Sequence, residues 1–498
     1  MTMIEQRGFI GTKASVSLFL DNVIGALLGW SLQMFLSRVL GPTGYGQYSL
    51  VNVIFLIFAS FLTPGIMLAA ERVTAMASHP QKAFLSVIRI EILVDIIVYF
   101  LYFTLLNFIC QFLNVPDLYT YCLLLGLMIM PHGLASVTLG YLRGRLDFLR
   151  CFKIDLCYHL AKVLFCIALI LLGYGLLGVV IGLMIGELAF FVSSLWSVKI
   201  KRNKEMGYLQ DIIKMSVPFL LVGISALIMF RIDILCIRYF LSDYNSLGYY
   251  AAAARFGEVL SVLLSSTYVY LLPVLSKALN DQNYLYAQQS IERSVRYCFI
   301  LAVPLCSWIA INSKIVMSLA FSYRFTDGAG VLTILSLGWM PLSILYAVNY
   351  IVSARGKLWF LFKVSAIFCL LNLILNILFI PRFGIQGVSV ATIVSLLSMQ
   401  TLIFIYNYKF KIFPTKKILW LPMRTFLNVA IATAIAIGVA NLLFHSIIWQ
   451  IFILKTISVA VFYIISLFLL HEINHEDKRI IDFLLTRIME RKDANKLF

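Results

Sequence analysis

Apolar runs of about 20 residues recur from end to end of this chain, each closed by a short polar break. A run of that length carries one helix across the hydrocarbon core of a bilayer. Fourteen such runs lie near 14–38, 45–68, 84–110, 119–142, 153–172, 176–197, 214–240, 247–273, 294–313, 329–353, 358–379, 385–408, 418–442 and 448–470. The breaks carry turn chemistry: Gly41-Pro42, Asn114-Val115-Pro116-Asp117 and Pro381-Arg382-Phe383-Gly384. The pattern predicts an all-α polytopic membrane protein. The first run follows a polar start with Arg7 and Lys13 and reads as an uncleaved first helix.

Charge orients the spans. With both ends in the cytoplasm, 31 of the 40 Lys and Arg fall on the cytoplasmic side, 5 on the other side and 4 inside spans. Basic residues concentrate in cytoplasmic loops, so this split supports an even number of crossings. The net charge of +17 is thereby explained without nucleic acid.

The breaks also repeat. Arg38 matches Arg238, and Tyr45-Gly46-Gln47-Tyr48 matches Leu247-Gly248-Tyr249-Tyr250. Arg143-Gly144-Arg145-Leu146 matches Arg355-Gly356-Lys357-Leu358, at an offset of 212. Tyr174-Gly175 matches Phe383-Gly384. Four ordered matches point to an internal duplication, spans 1–6 against spans 7–12. Six is even, so the two copies run in the same direction, with a pseudo-twofold axis along the membrane normal. The expected organisation is an N-lobe over 1–205, a C-lobe over 206–412, two extra spans over 413–472 and a tail over 473–498. Within the tail, 476–490 has the spacing of an interfacial amphipathic helix or of a surface helix packed on the bundle.

Composition agrees: 61% of the 498 residues are hydrophobic and 13% charged, and the mean hydropathy is +0.94. The nine cysteines form no CxxC or zinc spacing. Cys110 and Cys122 flank a short outer loop, where a disulfide and two free thiols are both open readings. P-loop, HExxH and GxSxG patterns are missing, so the chain is read as a non-enzyme with no cofactor, no metal and no catalytic residue.

LGPTGYGQYSL after the first span, and RIDILCIRYFLSDYNSLGYYAAAARF across the seventh and eighth, resemble the polysaccharide flippases. These are the Wzx-type O-antigen translocases of the multidrug/oligosaccharidyl-lipid/polysaccharide exporter superfamily. The resemblance implies two six-helix lobes around a central cavity that opens to either face in turn. It also implies translocation of undecaprenyl-pyrophosphate-linked oligosaccharide across the bacterial inner membrane, and a place beside a polysaccharide polymerase. A multidrug exporter, a lipid II flippase and, further off, a multipass glycosyltransferase or polymerase are the alternatives.

Charges inside spans are costly and so mark function or pairing. Arg231 and Arg255 lie about 12–14 Å below one surface, at 1.5 Å per helical residue. Their counterparts in the first copy are Ser31 and Val53, so these charges are not features of a duplicated scaffold. They are candidates for the pyrophosphate or an acidic sugar, because Arg holds phosphate through two parallel bonds. Asp233 and Glu258 lie at similar depth, aligned with Gln33 and Leu56, and an internal Arg–carboxylate network is the competing reading. Asp21 and Glu187 lack an obvious local cationic partner and are candidates for a coupling proton or sodium ion. Asp155, His159 and Lys162 share one helix face and read either as a proton relay or as an ion-paired cluster at the membrane edge.

Overall fold

A computed structural model describes residues 3–198, 209–266, 268, 271–408 and 449–469, with short pieces between 427 and 442. Among these residues there is no β-strand. The helices are α1 (Met3–Ala59), α2 (Leu68–Met76), α3 (Pro80–Phe112), α4 (Tyr119–Gly126), α5 (Ile129–Gly144), α6 (Phe148–Leu171), α7 (Gly175–Ser197), α8 (Leu209–Leu241) and α9 (Tyr244–Ser266). They continue with α10 (Leu271–Asn280), α11 (Tyr284–Ile311), α12 (Ser313–Ala320), α13 (Ala329–Ala354), α14 (Leu358–Tyr408) and α15 (Trp449–Leu469). Most of the thirteenth expected span and the whole 476–490 tail lie outside the described residues.

Seven of these helices are long and apolar enough to cross a membrane, or nine counting two bent pairs as single spans. Two of the seven fold back on themselves. α1 breaks at Gly41, whose φ of 66° belongs to the left-handed region that glycine enters without steric cost. Gln33 donates to the Tyr48 hydroxyl at 2.9 Å, and Tyr45 donates to Gln33 at 2.8 Å. In a straight helix residues 33 and 48 would lie about 22 Å apart. α14 turns back in the same way at Gly384, where φ is 57°.

The orientation of α3 is that of a helix in lipid. Glu91, Asp95 and Tyr102 are fully buried, whereas Leu93, Ile97 and Phe100 stand 64%, 65% and 71% exposed. Polar groups face the protein and apolar groups face outwards, the reverse of a soluble helix. The chain is a multi-pass membrane protein.

The helices group into two compact units. The second unit comprises Val259–Ile311, Ser336–Arg355 and Phe404–Phe498. In it the Tyr463 hydroxyl of α15 donates to the Ile300 carbonyl of α11 at 2.7 Å. The first unit comprises Met1–Glu258, Asn312–Leu335 and Gly356–Ile403, and it holds all the charged span residues singled out above. All nine cysteines are free thiols, Cys110 and Cys122 included.

The duplication is visible in backbone geometry. Gly175 (φ 51°) and Gly384 (φ 57°) turn the chain at equivalent points, an offset of 209. The α5–α6 turn corrects the letter match. Its left-handed residue is Leu146 (φ 60°), and that of the α13–α14 turn is Gly356 (φ 70°). The equivalent residues therefore stand 210 apart. Arg-Gly-Arg-Leu and Arg-Gly-Lys-Leu match as letters two positions out of structural register.

Candidate functional site

Polar side chains gather at several points inside the largely apolar first unit. α7 presents Gly178, Gly182 and Gly186, four residues apart, to Leu169, Cys166 and Lys162 of α6. The lack of side chains lets the two helices close on each other. That approach brings Tyr158 and Lys162 of α6 to Glu187 of α7. The Tyr158 hydroxyl donates to Oε1 of Glu187 at 3.2 Å, and Lys162 Nζ donates to the Tyr158 hydroxyl at 3.1 Å. His132 of α5 bonds Oε2 of Glu187 through Nδ1 at 2.9 Å. The expectation that Glu187 lacks a cationic partner is thereby corrected. Lys162 lies within electrostatic reach of this carboxylate, and His132 meets it from 55 residues away.

The basic groups meet on the other side of Lys162. Arg255 of α9 lies within electrostatic reach of Lys162. Arg255 and Arg231 of α8 both lie within electrostatic reach of Tyr48 of α1, whose hydroxyl accepts a hydrogen bond from Gln33. Trp30 and Phe256, neighbours in sequence of Ser31 and Arg255, pack edge-to-face at 5.0 Å, and Phe256 packs on Phe321 at 5.7 Å. Three cationic side chains and an aromatic cluster thus share one region of this unit.

Asp155, His159 and Lys162 lie on one helix but serve different neighbours. Asp155 faces Asp21 of α1, within hydrogen-bonding reach, and lies 4.0 Å from Nη2 of Arg143. Asp21 therefore does have a cation nearby, contrary to expectation. His159 faces Gly25 of α1. Among the described residues, no hydrogen bond joins the three into a chain.

Asp233 of α8 is buried, and its acceptor positions are taken. Tyr250 and Thr392 donate to Oδ2, the latter at 2.6 Å, and Asn376 donates to Oδ1 at 2.8 Å. Asn376 and Thr392 lie on opposite arms of α14, so one carboxylate ties both arms to α8. The bond to Tyr250 repeats the one between Gln33 and Tyr48 in the first copy. The side chain of Glu258 lies outside the described residues. Among those that are described, no group of three His, Cys, Asp or Glu is placed to hold a metal ion.

Where the two copies meet at their first turns, the contacts are reciprocal. A β-carbon on Gly46 would collide with the Tyr244 carbonyl, and one on Gly248 with the Pro42 carbonyl. Residues 42 and 244, like 46 and 248, stand 202 apart, so this is one contact made twice. Thr43 donates to Asn245, also 202 apart, at 2.7 Å. Arg38 reaches the Leu319 carbonyl at 2.6 Å, and Arg238 reaches the Asn114 carbonyl at 2.7 Å. Two-fold related surfaces pair in this way. The repeat was legible in the letters; that its two glycines face each other was not.

Known proteins extend this picture. Residues 35–329 match the model of a family described as polysaccharide biosynthesis protein. An uncharacterised membrane protein of Methanocaldococcus jannaschii is 27% identical over 54% of this chain, and the chain spans about half (53%) of that relative's length. A probable low-salt glycan biosynthesis flippase of Haloferax volcanii, Agl15, is 23% identical over 77% of this chain and 80% of its own. Among solved structures, the lipid II flippase MurJ in an inward closed conformation superposes with a TM-score of 0.75 at 18% identity, over 91% of this chain and 98% of that one. An inward-facing multidrug resistance transporter of the MATE family gives 0.65 at 14% identity, over 82% and 98%. The last two similarities establish the fold, two helical lobes as expected from the duplication. The matched residues run from the first glycine turn through the pseudo-twofold contact to the start of α13, and on that match the chain belongs to the polysaccharide biosynthesis protein family.

Proposed function

We propose that this protein is a flippase for a lipid-linked oligosaccharide. The observation that carries the reading is the gathering of Arg231 and Arg255 within electrostatic reach of Tyr48, with Lys162 in reach of Arg255, inside the first unit. Half-buried cationic charge within the spans suits an anionic headgroup, and the guanidinium fork matches a pyrophosphate. The substrate is an undecaprenyl-pyrophosphate-linked repeat unit, of O-antigen or capsule. It moves from the cytoplasmic to the outer leaflet of a bacterial inner membrane, with both protein termini in the cytoplasm. Lobes 1–205 and 206–412 rock against each other and part the glycine contact in one state. The sugar head passes through the cavity while the lipid tail stays in the bilayer. Asp21, Glu187, Asp233 and Glu258 are the acidic groups from which a coupling proton or sodium site is drawn, and a polymerase of the same route takes the product.

Replacing Arg255 with Ala, and separately Arg231, lowers surface polysaccharide at least tenfold in cells carrying each variant at wild-type abundance. Lipid-linked repeat units then accumulate on the cytoplasmic leaflet. Surface polysaccharide at wild-type level would end the assignment of these arginines. The second reading, a multidrug exporter, draws on the likeness to the MATE fold and on the acidic groups of the same unit. It requires that deletion leave surface polysaccharide unchanged and sensitise cells to cationic drugs.

A further inference from the structure

Two carboxyl groups of the first unit belong to none of the clusters above. Glu91 and Asp95, one turn apart on α3, are each 0% exposed, and none of their four oxygens has a hydrogen-bond partner. Both aim at Gly133 of α5. A β-carbon there would collide with Oδ1 of Asp95 and lie 2.6 Å from Oε1 of Glu91, so the two oxygens lie about 5 Å apart or closer. Gly133 is the residue beside His132. The titratable group of another element in reach of Asp95 is His132 of α5, and the one in reach of Glu91 is Asp95, on the same helix.

Two bare carboxylates side by side in an apolar interior are prohibitively costly, since each loses its water and repels the other. They must be neutralised, by protons or by a bound cation. A metal ion would call for a shell of further oxygens, and here the backbone of α5 closes on that side. We infer that Glu91 and Asp95 form a proton-binding acid pair, each carboxyl neutralised by a proton of its own when the site is occupied. Asp95 lies within electrostatic reach of His132, the first member of the hydrogen-bonded chain His132–Glu187–Tyr158–Lys162, whose last member lies within electrostatic reach of Arg255. The pair's occupancy is thus positioned to change the charge that an anionic substrate meets. That last step rests on the flippase reading; the acid pair does not.

The test is infrared spectroscopy of the full-length protein in lipid vesicles, with no substrate present. At neutral pH and without sodium, the wild type shows a carboxylic-acid carbonyl band that exchanges slowly with deuterium. Glu91→Gln or Asp95→Asn alone shifts the band, and the double variant loses it. Absence of the band in the wild type, its persistence in the double variant, or its disappearance on adding sodium chloride would each overturn the proposal, the last by making the pair a sodium site. The wild-type measurement stands even if the double variant fails to fold. A flippase that transports normally yet lacks the band would refute the acid pair alone. A band without transport would refute the flippase reading alone.

Discussion

Asp233 shows how one residue can be read two ways. By sequence it is a charge at mid-depth that the first copy lacks, and so a candidate for function. In space it does what Gln33 does in the first copy, bonding a tyrosine on the neighbouring helix, and it adds Asn376 and Thr392. Bonds between helices in membranes average about 0.6 kcal/mol each, so three of them sum to about 2 kcal/mol. Asp233→Ala should therefore lower the unfolding free energy of the solubilised protein by about that much. Thr392→Val should cost about a third as much. Thermal unfolding in detergent reads both, and equal losses from the two variants would show that the carboxylate is not the hub. His132 is the opposite case. Nothing in the letters joins it to Glu187, because the pairing depends on how α5 and α7 rotate about their axes. The spacing of Gly178, Gly182 and Gly186 was a usable signal that α7 packs closely, but not of what it packs against.

At the scale of elements, the turns were the legible part. Gly41-Pro42 and Pro381–Gly384 announce reversals, and the chain reverses at both. The α5–α6 turn was misregistered by two residues because its left-handed position is a leucine, Leu146, where its equivalent is Gly356. Letter matching follows glycine, and backbone geometry does not have to. The start of α9 is set by Asp243, whose carboxylate accepts from the backbone N–H groups of Ser246 at 2.8 Å and Asn245 at 3.0 Å. Partial burial pushes this carboxyl up, but those two N–H groups and nearby Arg238 outweigh it and hold it below the usual aspartate range. A carboxyl depressed in the folded state adds stability at neutral pH and loses that contribution as pH falls through its folded value, below 3.8. Asp243→Ala should cost about 1 kcal/mol at pH 7, the usual worth of such a cap. The gap between variant and wild-type melting temperatures should narrow as the buffer is taken below pH 3.8. A gap that stays constant across that range would mean the cap acts without its charge.

At the scale of the molecule, the reciprocal contact between the two copies decides what can move. Gly46 and Gly248 let two helix starts touch through backbone alone, and Thr43 and Asn245 bond across the same line. On the flippase reading proposed above, opening to the face where this contact lies parts it in one state. Valine at 46 and at 248 drives a side chain into the facing carbonyl and should disfavour the closed contact by about 1–3 kcal/mol. At that cost, a state populated 99:1 falls to between about 19:1 and below parity. Joining residues 43 and 245 should do the reverse. With both changed to cysteine, in a chain whose nine native cysteines are replaced, the proposed flippase should stop exporting polysaccharide on oxidation and resume when a reductant is added. Cross-linked protein that still exports at the full rate would place the moving parts elsewhere. Export lost by the reduced double variant as well would trace the defect to the Thr43–Asn245 bond itself, so the reduced and oxidised rates must be compared in the same vesicles.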